Sequence, residues 1–362
     1  MKDIATIRLD LAKSVFQVHG VDRTRSAVVM RALRRVQVLD FFRKLPACLV
    51  GIEACGSAHH WAREIAAFGH DVRMIPPVYV KAYVKRGKTD AADAAAICEA
   101  VARPTMRFVP VKTQEQQAAG MVLRTRELLV RQRTQIANAL RGHMSELGIV
   151  ASAGMANIAK LVSLLRDPET AMPELARRAL LEMAEQLDAI DQRVESLDEV
   201  IRSGIKGDET ARRLTSIPGV GPLIAATVRA AVHDPHGFRN GRDFAAWLGL
   251  TPRLLSSGGK EKLGLISKQG NRRLRTLLVI GATSLIKQAK RGVVLPAWLS
   301  GLIARKPYKL VAVALANKMA RVIWALLTKG GTYRKVPSIV VPTLRNVRGV
   351  ATPPSGALPE GG

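Results

Sequence analysis

Apolar and polar residues alternate in short runs through the first hundred residues. Ile7-Arg8-Leu9-Asp10-Leu11 alternates strictly, and the apolar run Cys48-Leu49-Val50-Gly51-Ile52 ends at Glu53. These patterns predict strands over 4–11, 14–21, 26–33, 48–54 and 71–76. Between and after them the spacing becomes helical, near 35–45, 58–69 and 90–102. The order is three strands, then helix, strand, helix, strand, helix. The first three strands are close enough for hairpins, and the later ones need crossovers. Residues 1–112 are therefore expected to form an α/β domain.

Residues 113–205 read as helical. The stretch 115–147 is polar and carries Arg124, Arg126, Arg131, Arg133 and Arg141. Over 174–203, Leu180, Met183, Leu187, Ile190, Val194, Leu197 and Ile201 repeat with alternating spacings of three and four. That is an a/d seam, and it predicts a coiled coil within or between subunits; the bland reading is an amphipathic helix packed on its own chain. Residues 206–335 form a third, mainly helical unit. It starts with Ile217-Pro218-Gly219-Val220-Gly221 and an apolar helix over 222–232. Residues 336–362, rich in Pro and Gly, read as a disordered tail.

Charge then narrows the partner. The 362 residues hold 56 Lys and Arg against 29 Asp and Glu, a net charge of +27. From Arg239 to Lys335 there are 20 basic residues and two acids, Asp243 and Glu261. Such a surplus points to a polyanion, nucleic acid first and an anionic membrane surface second. No stretch is expected to span a bilayer, and the N-terminus lacks the pattern of a signal peptide. Three cysteines, Cys48, Cys55 and Cys98, have no zinc-like spacing, which fits a reduced, intracellular protein.

The candidate chemistry lies in four acids. Asp10 and Glu53 fall at predicted strand ends, and Asp90 and Asp93 lie three apart at the start of an Ala-rich helix. Each has a plain reading alone: Asp90 as a helix cap, Asp93 as a partner of the helix dipole, Glu53 and Asp10 as surface or turn residues. Together they fall where ribonuclease H-like nucleases carry theirs, on the first strand, the fourth strand and a late helix. Carboxylates converging at roughly 5–6 Å repel by about 3 kcal/mol per pair at an effective dielectric of 20. Such a cluster calls for protons or a hard cation, Mg²⁺ or Mn²⁺. The loop Ile217–Gly221 resembles a helix-hairpin-helix turn, in which glycines let backbone N–H groups approach a phosphate; the alternative is a plain interhelical turn. A second loop, Ser256-Ser257-Gly258-Gly259, reads by itself as a flexible connection, with Arg253 and Lys260 nearby and no obvious base. His59 and His60 read as helix-surface or packing residues.

In combination these segments resemble the insertion-sequence 110 family of DEDD transposases. The resemblance rests on Leu9-Asp10-Leu11-Ala12-Lys13, Glu53-Ala54-Cys55-Gly56, Lys88-Thr89-Asp90-Ala91-Ala92-Asp93-Ala94, Ser216-Ile217-Pro218-Gly219-Val220-Gly221 and Gly249-Leu250-Thr251-Pro252-Arg253 followed by Ser-Gly. It runs from about residue 4 to 330 and implies a RuvC-like nuclease domain, a coiled-coil segment and a C-terminal transposase domain. It also implies a recombinase guided by an RNA encoded in its own mobile element, acting in the cytoplasm at the bacterial nucleoid as a dimer or tetramer. In that mechanism Asp10, Glu53, Asp90 and Asp93 hold the metal, and a serine attacks DNA at the same composite site. Position for position this is Ser257, with Ser256 a close rival. Lys88, Gly219, Gly221, Arg253, Lys260, Lys262, Lys268, Arg272, Arg273 and Arg275 are the candidate nucleic-acid contacts. One departure concerns Arg8: family members usually have Gly just before the first Asp, and here the strand reads Arg8-Leu9-Asp10. Arg8 would share a face with Asp10.

Two other classes fit the same residues. A metal-dependent nuclease of the Holliday-junction resolvase type would use water and need no serine. A basic nucleic-acid scaffold with a decayed acidic site would bind and not cut.

Overall fold

The computed structural model describes residues 4–77, 101, 106–255, 262–289 and 295–334. The chain divides into two compact units, residues 1–211 with 225–237, and residues 212–224 with 238–362.

The first unit opens with a five-stranded sheet. Its strands are β1 (Thr6–Asp10), β2 (Val15–Val21), β3 (Ala27–Arg34), β4 (Leu49–Glu53) and β5 (Asp71–Ile75), in the order β3-β2-β1-β4-β5. β1, β2 and β3 form an antiparallel meander, whereas β4 and β5 run parallel to β1. The crossovers carry α1 (Val38–Arg43) and α2 (Ala58–Ala66). Each strand predicted from alternation is found within a residue or two of its expected bounds. The predicted helix over 90–102 lies outside the described residues, apart from Val101.

The reason for this layout is visible in the burial. Ile7, Leu9, Val50 and Ile52 are fully buried and pack with Phe16, Phe42, Trp61 and Ile65. Full burial of each such side chain is worth about 1.5–3 kcal/mol. His70 fastens the bottom of the sheet: its Nδ1 accepts from Cys48 N at 3.2 Å, and its Nε2 lies 3.0 Å from Phe42 O, the tautomer that donates there.

Three helices follow: α3 (Gln114–Glu146), α4 (Ala156–Arg166) and α5 (Glu174–Gly207). α3 starts at a capping box, in which Thr113 Oγ1 accepts from Gln116 N and Gln116 Oε1 accepts from Thr113 N. The seam predicted on α5 is used inside the chain. Leu180, Ala184 and Leu187 pack with Leu140 and Met144 of α3 and with Leu161 and Leu165 of α4. Farther along, the pairing is ionic. Arg126 grips Asp198 with two hydrogen bonds of 2.5 and 2.9 Å, and Arg133 meets Asp191 at 2.9 Å. These arginines of α3 therefore neutralise the acidic flank of α5.

The helices α6 (Glu209–Thr215) and α7 (Pro222–Ala231) span the division between the units. The second unit continues with α8 (Gly241–Trp247), the hairpin β6 (Pro252–Leu254) and β7 (Leu263–Ile266), then α9 (Arg272–Ala289), α10 (Ala297–Arg305) and α11 (Tyr308–Lys329). α11 corrects the expectation that no stretch is long and apolar enough to span a bilayer. Its 22 residues include an 18-residue window that qualifies by length and composition, with a mean hydropathy of 1.7. It is nonetheless a core helix here: Val311, Leu315, Met319 and Ile323 are buried, and Lys318 and Arg321 interrupt its length.

Candidate active site

The sheet brings two of the four predicted acids together. β1 and β4 pair in parallel with Thr6 beside Leu49 and Leu9 beside Ile52, so Asp10 and Glu53 follow at the carboxyl ends of adjacent strands. Parallel neighbours lie about 4.8 Å apart, and the strict alternation sends both side chains to the same face. That face is opposite to the one holding Ile7, Leu9, Val50 and Ile52. Both acids are partly exposed, the Asp10 side chain at 46%. Asp90 and Asp93 lie outside the described residues, as does Lys88. Among the described residues no group of three or more His, Cys, Asp or Glu gathers around one point. As carboxylates, Asp10 and Glu53 are oxygen donors of the kind a hard cation takes.

Arg8 shares this face, as strand alternation predicts. It is 6% exposed, and one guanidinium nitrogen lies 3.6 Å from Asp10 Oδ2. Across β1 and β2 it stands opposite His19, whose pKa is lowered by burial first and by the Arg8 charge second.

The two histidines of α2 part ways. His60 is exposed, near Glu64. His59 Nδ1 accepts from Lys112 N at 3.1 Å, tying α2 to the strap that leads into α3. Burial, then Lys112, His233 and Arg63, push its pKa down to about 4. It is a neutral packing residue, as its sequence setting indicated.

In the second unit, the predicted serine loop is framed by the β6–β7 hairpin. Ser256, Ser257 and Lys260 lie outside the described residues; the base of the hairpin does not, and it is tightly fixed. Leu255 N donates to Lys262 O at 2.8 Å, and Ser267 N donates to Thr251 O at 2.8 Å. Gly249 and Gly270 have φ of +69° and +68°, and neither has room for a side chain. A Cβ on Gly249 would stand 2.5 Å from Gln269 N, and one on Gly270 would stand 3.0 Å from the Trp247 carbonyl carbon. Arg275, 9% exposed, donates to Leu248 O at 2.8 Å and to Gln269 O at 2.7 Å, joining both flanks of the hairpin. Asn317 of α11 adds a bond to Leu250 O at 3.2 Å. Of the candidate nucleic-acid contacts, Arg253, Lys262, Lys268 and Arg272 are exposed, Arg273 is half-buried, and Arg275 is committed to this brace. Sequence reasoning took Arg275 only as one more positive charge. Its sole distinguishing signal was its place beside Leu274 and three residues before Leu278, on the buried side of α9.

The glycines of the Ile217–Gly221 loop also differ from one another. Gly219 has φ of +84°, and a Cβ there would meet the Gly281 carbonyl oxygen of α9 at 3.0 Å. Gly219 is thus required by backbone conformation and helix packing. Gly221 has open space around it. Beside this loop lies an apolar cavity of about 830 Å³, bordered by Pro218, Leu285, Trp298 and Lys318. The Lys318 ammonium sits 4.0 Å over the Trp298 ring, and burial, then Arg321, lowers its pKa.

A sheet whose central strands end in paired acids, in a chain that also carries a strongly basic helical unit, fits a ribonuclease H-like domain in a protein that acts on nucleic acid. Comparison with known proteins narrows this. Residues 211–293 match the family described as "Transposase IS116/IS110/IS902 family", and residues 9–149 match a family of DEDD transposases of the IS110 type, described as "Transposase". A Sinorhizobium fredii protein named as a transposase, y4pF/y4sB, is 48% identical over 338 residues, covering 92% of this chain and 87% of its own length. A Pseudomonas aeruginosa protein named as a family 20 transposase is 48% identical over 335 residues, covering 92% and 99%. The transposase for insertion sequence element IS1111A of Coxiella burnetii is 40% identical over 336 residues, covering 92% of each chain. The chain belongs to the IS116/IS110/IS902 family of transposases. Membership brings a RuvC-like N-terminal fold and DNA as the substrate, and it points to a divalent metal.

Proposed function

We propose that this transposase excises and inserts a mobile DNA element by serine-based strand transfer at a metal-assisted DEDD site. Asp10, Glu53, Asp90 and Asp93 would hold Mg²⁺, or Mn²⁺ in its place. The observation that carries the reading is the placement of Asp10 and Glu53 side by side at the carboxyl ends of β1 and β4. When bound, the metal supplies positive charge against phosphate oxygens. Ser257 is the proposed nucleophile. Its Oγ forms a new bond to phosphorus while the bond to one deoxyribose oxygen breaks; that oxygen takes up a proton and leaves as a hydroxyl. Attack by a strand-end hydroxyl on the phosphoserine reverses the exchange, so rejoining needs no external energy source. Arg253, Lys260, Lys262, Lys268 and Arg272 would hold backbone phosphates. Lys88, Gly219, Gly221 and Arg273 complete the proposed nucleic-acid surface. The choice of DNA would be guided by an RNA encoded in the element, and the working form would be a homo-oligomer.

The test is a covalent one. With a pre-nicked DNA substrate, the wild-type protein should yield a denaturation-resistant protein–DNA adduct. Ser257→Ala should lose the adduct and all recombination while retaining nucleic-acid binding, and Ser256→Ala should keep most of its activity. The reverse pattern would move the nucleophile to Ser256. Free nicks with no adduct in any protein would refute serine chemistry in favour of a hydrolytic nuclease. Binding without cleavage would leave a scaffold.

A further inference from the structure

We propose that Arg8 is a resident counter-charge of the carboxylate edge, one that opposes the binding of a divalent cation by Asp10 and Glu53. This rests on the proposed metal-holding role of those acids and adds a residue that sets the strength of the hold.

Three observations carry it. Arg8 is 6% exposed, and its guanidinium lies 3.6 Å from Asp10 Oδ2, so one donor oxygen already faces a cation of the protein itself. Its charge is permanent, because an arginine guanidinium does not lose its proton in proteins. Its position is fixed by the sheet. Arg8 stands beside Gly51 on β4, a neighbour with no side chain, and beside His19 on β2. His19 is held toward its neutral form by burial and by Arg8, so it adds no competing positive charge.

The consequence follows from Coulomb's law. A divalent ion at Asp10 would lie within a few ångströms of a fixed positive charge in a partly buried setting, where screening by salt is weak. Arg8 offsets the charge of Asp10 without a metal, and by the same charge it weakens metal binding there. Removing that charge while leaving the acids intact should tighten the site.

The experiment reads metal binding and not catalysis. Mn²⁺ is titrated into the full chain without nucleic acid, with free ion followed by electron paramagnetic resonance and folding followed by circular dichroism. Arg8→Gln is the polar neutral variant, and Arg8→Met, which keeps an unbranched apolar stem, is a second one should the first fail to fold. Arg8→Lys retains the charge, and Asp10→Asn and Glu53→Gln remove ligands. The neutral variants are expected to bind Mn²⁺ at least about tenfold more tightly than wild type, a change of about 1.4 kcal/mol. Arg8→Lys should bind like wild type, and Asp10→Asn should bind more weakly. If both neutral variants bind no more tightly than wild type while Asp10→Asn still weakens binding, the inference about Arg8 is overturned and the carboxylate site stands. If Arg8→Lys tightens binding as much as Arg8→Gln, charge is not the cause and the inference is likewise overturned. If Asp10→Asn and Glu53→Gln both bind like wild type, the metal-holding role of these acids fails, and the inference falls with it.

Discussion

Gly281 of α9 offers a test of how the helix-hairpin-helix-like loop is held. Two effects of Gly281→Ala oppose each other. Alanine in a helix interior is favoured over glycine by up to about 1 kcal/mol. Against this, the new Cβ would overlap the Gly219 carbonyl oxygen and stand 3.0 Å from Ile224 Cδ1. The main obstacle is backbone, and Gly219 is pinned at φ +84° with Val220 N donating to Ile217 O at 2.9 Å, so the loop has little freedom to yield. Overpacking of this kind costs typically 1–3 kcal/mol, and more where nothing flexible can move. The steric term wins, for a net loss of about 1–2 kcal/mol. In a unit of this size that lowers Tm by roughly 4–8 °C. Gly221→Ala is the contrast. Nothing lies within 4 Å of its would-be Cβ, so its effect on stability should stay within about 0.5 kcal/mol. If Gly221 owes its identity to the approach of a phosphate, the same variant should weaken DNA binding at unchanged Tm. Differential scanning calorimetry and a DNA-binding titration on both variants decide the matter. A Tm for Gly281→Ala equal to or above wild type would refute the close backbone approach.

Two further outcomes are expected. DNA affinity should fall steeply with salt: four phosphate contacts from Arg253, Lys262, Lys268 and Arg272 alone give a log–log slope of about −3.6 on duplex DNA, and a nearly flat slope would sink the phosphate assignment. Stability should decline as pH drops from about 6.5 toward 4, because the unfolded chain takes up a proton there that folded His59, at about 4, does not; urea denaturation at pH 7.5 and 5.0 should show a smaller loss in His59→Gln, and an equal loss would assign the effect elsewhere.

The sheet was legible because its strands obey one local rule. Ile7 and Leu9 point into the core and Arg8 and Asp10 to the other face, and a period of two shows this without any knowledge of partners. Asp10 and Glu53 were legible for the same reason, since each ends such a run. The α5 seam was legible as a pattern while its partner was not. Leu180 and Leu187 need an apolar surface to cover them, and a heptad repeat does not say that α3 and α4 of the same chain supply it. The polar composition of α3 concealed its role. Arg126 and Arg133 are only two of several arginines in a polar stretch until the paired acids, 72 and 58 residues away, are seen beside them. Gly281 gave no usable signal. A lone glycine in an apolar helix is common, and only the fold shows which backbone comes against it.

The same distinction governs how the positive charge is interpreted. A surplus of 18 over residues 239–335 invites the view that this whole stretch grips phosphate. The structure divides the charges by task. Arg239 lies 2.7 Å from Asp243, and Arg275 is buried against two carbonyl oxygens. Lys318 rests on an aromatic ring. Arg253, although exposed, already donates to Ser267 O at 3.0 Å. A charge held this way still contributes to the long-range field that draws DNA in, and it reaches a phosphate only through the N–H donors left over, which the Arg253 guanidinium still has. Lys262 just before β7, Lys268 just past its end and Arg272 at the start of α9 are exposed. Net charge therefore bears on the rate of encounter with DNA. The few exposed cations around the hairpin bear on where a phosphate would come to rest, which is the quantity a serine nucleophile depends on.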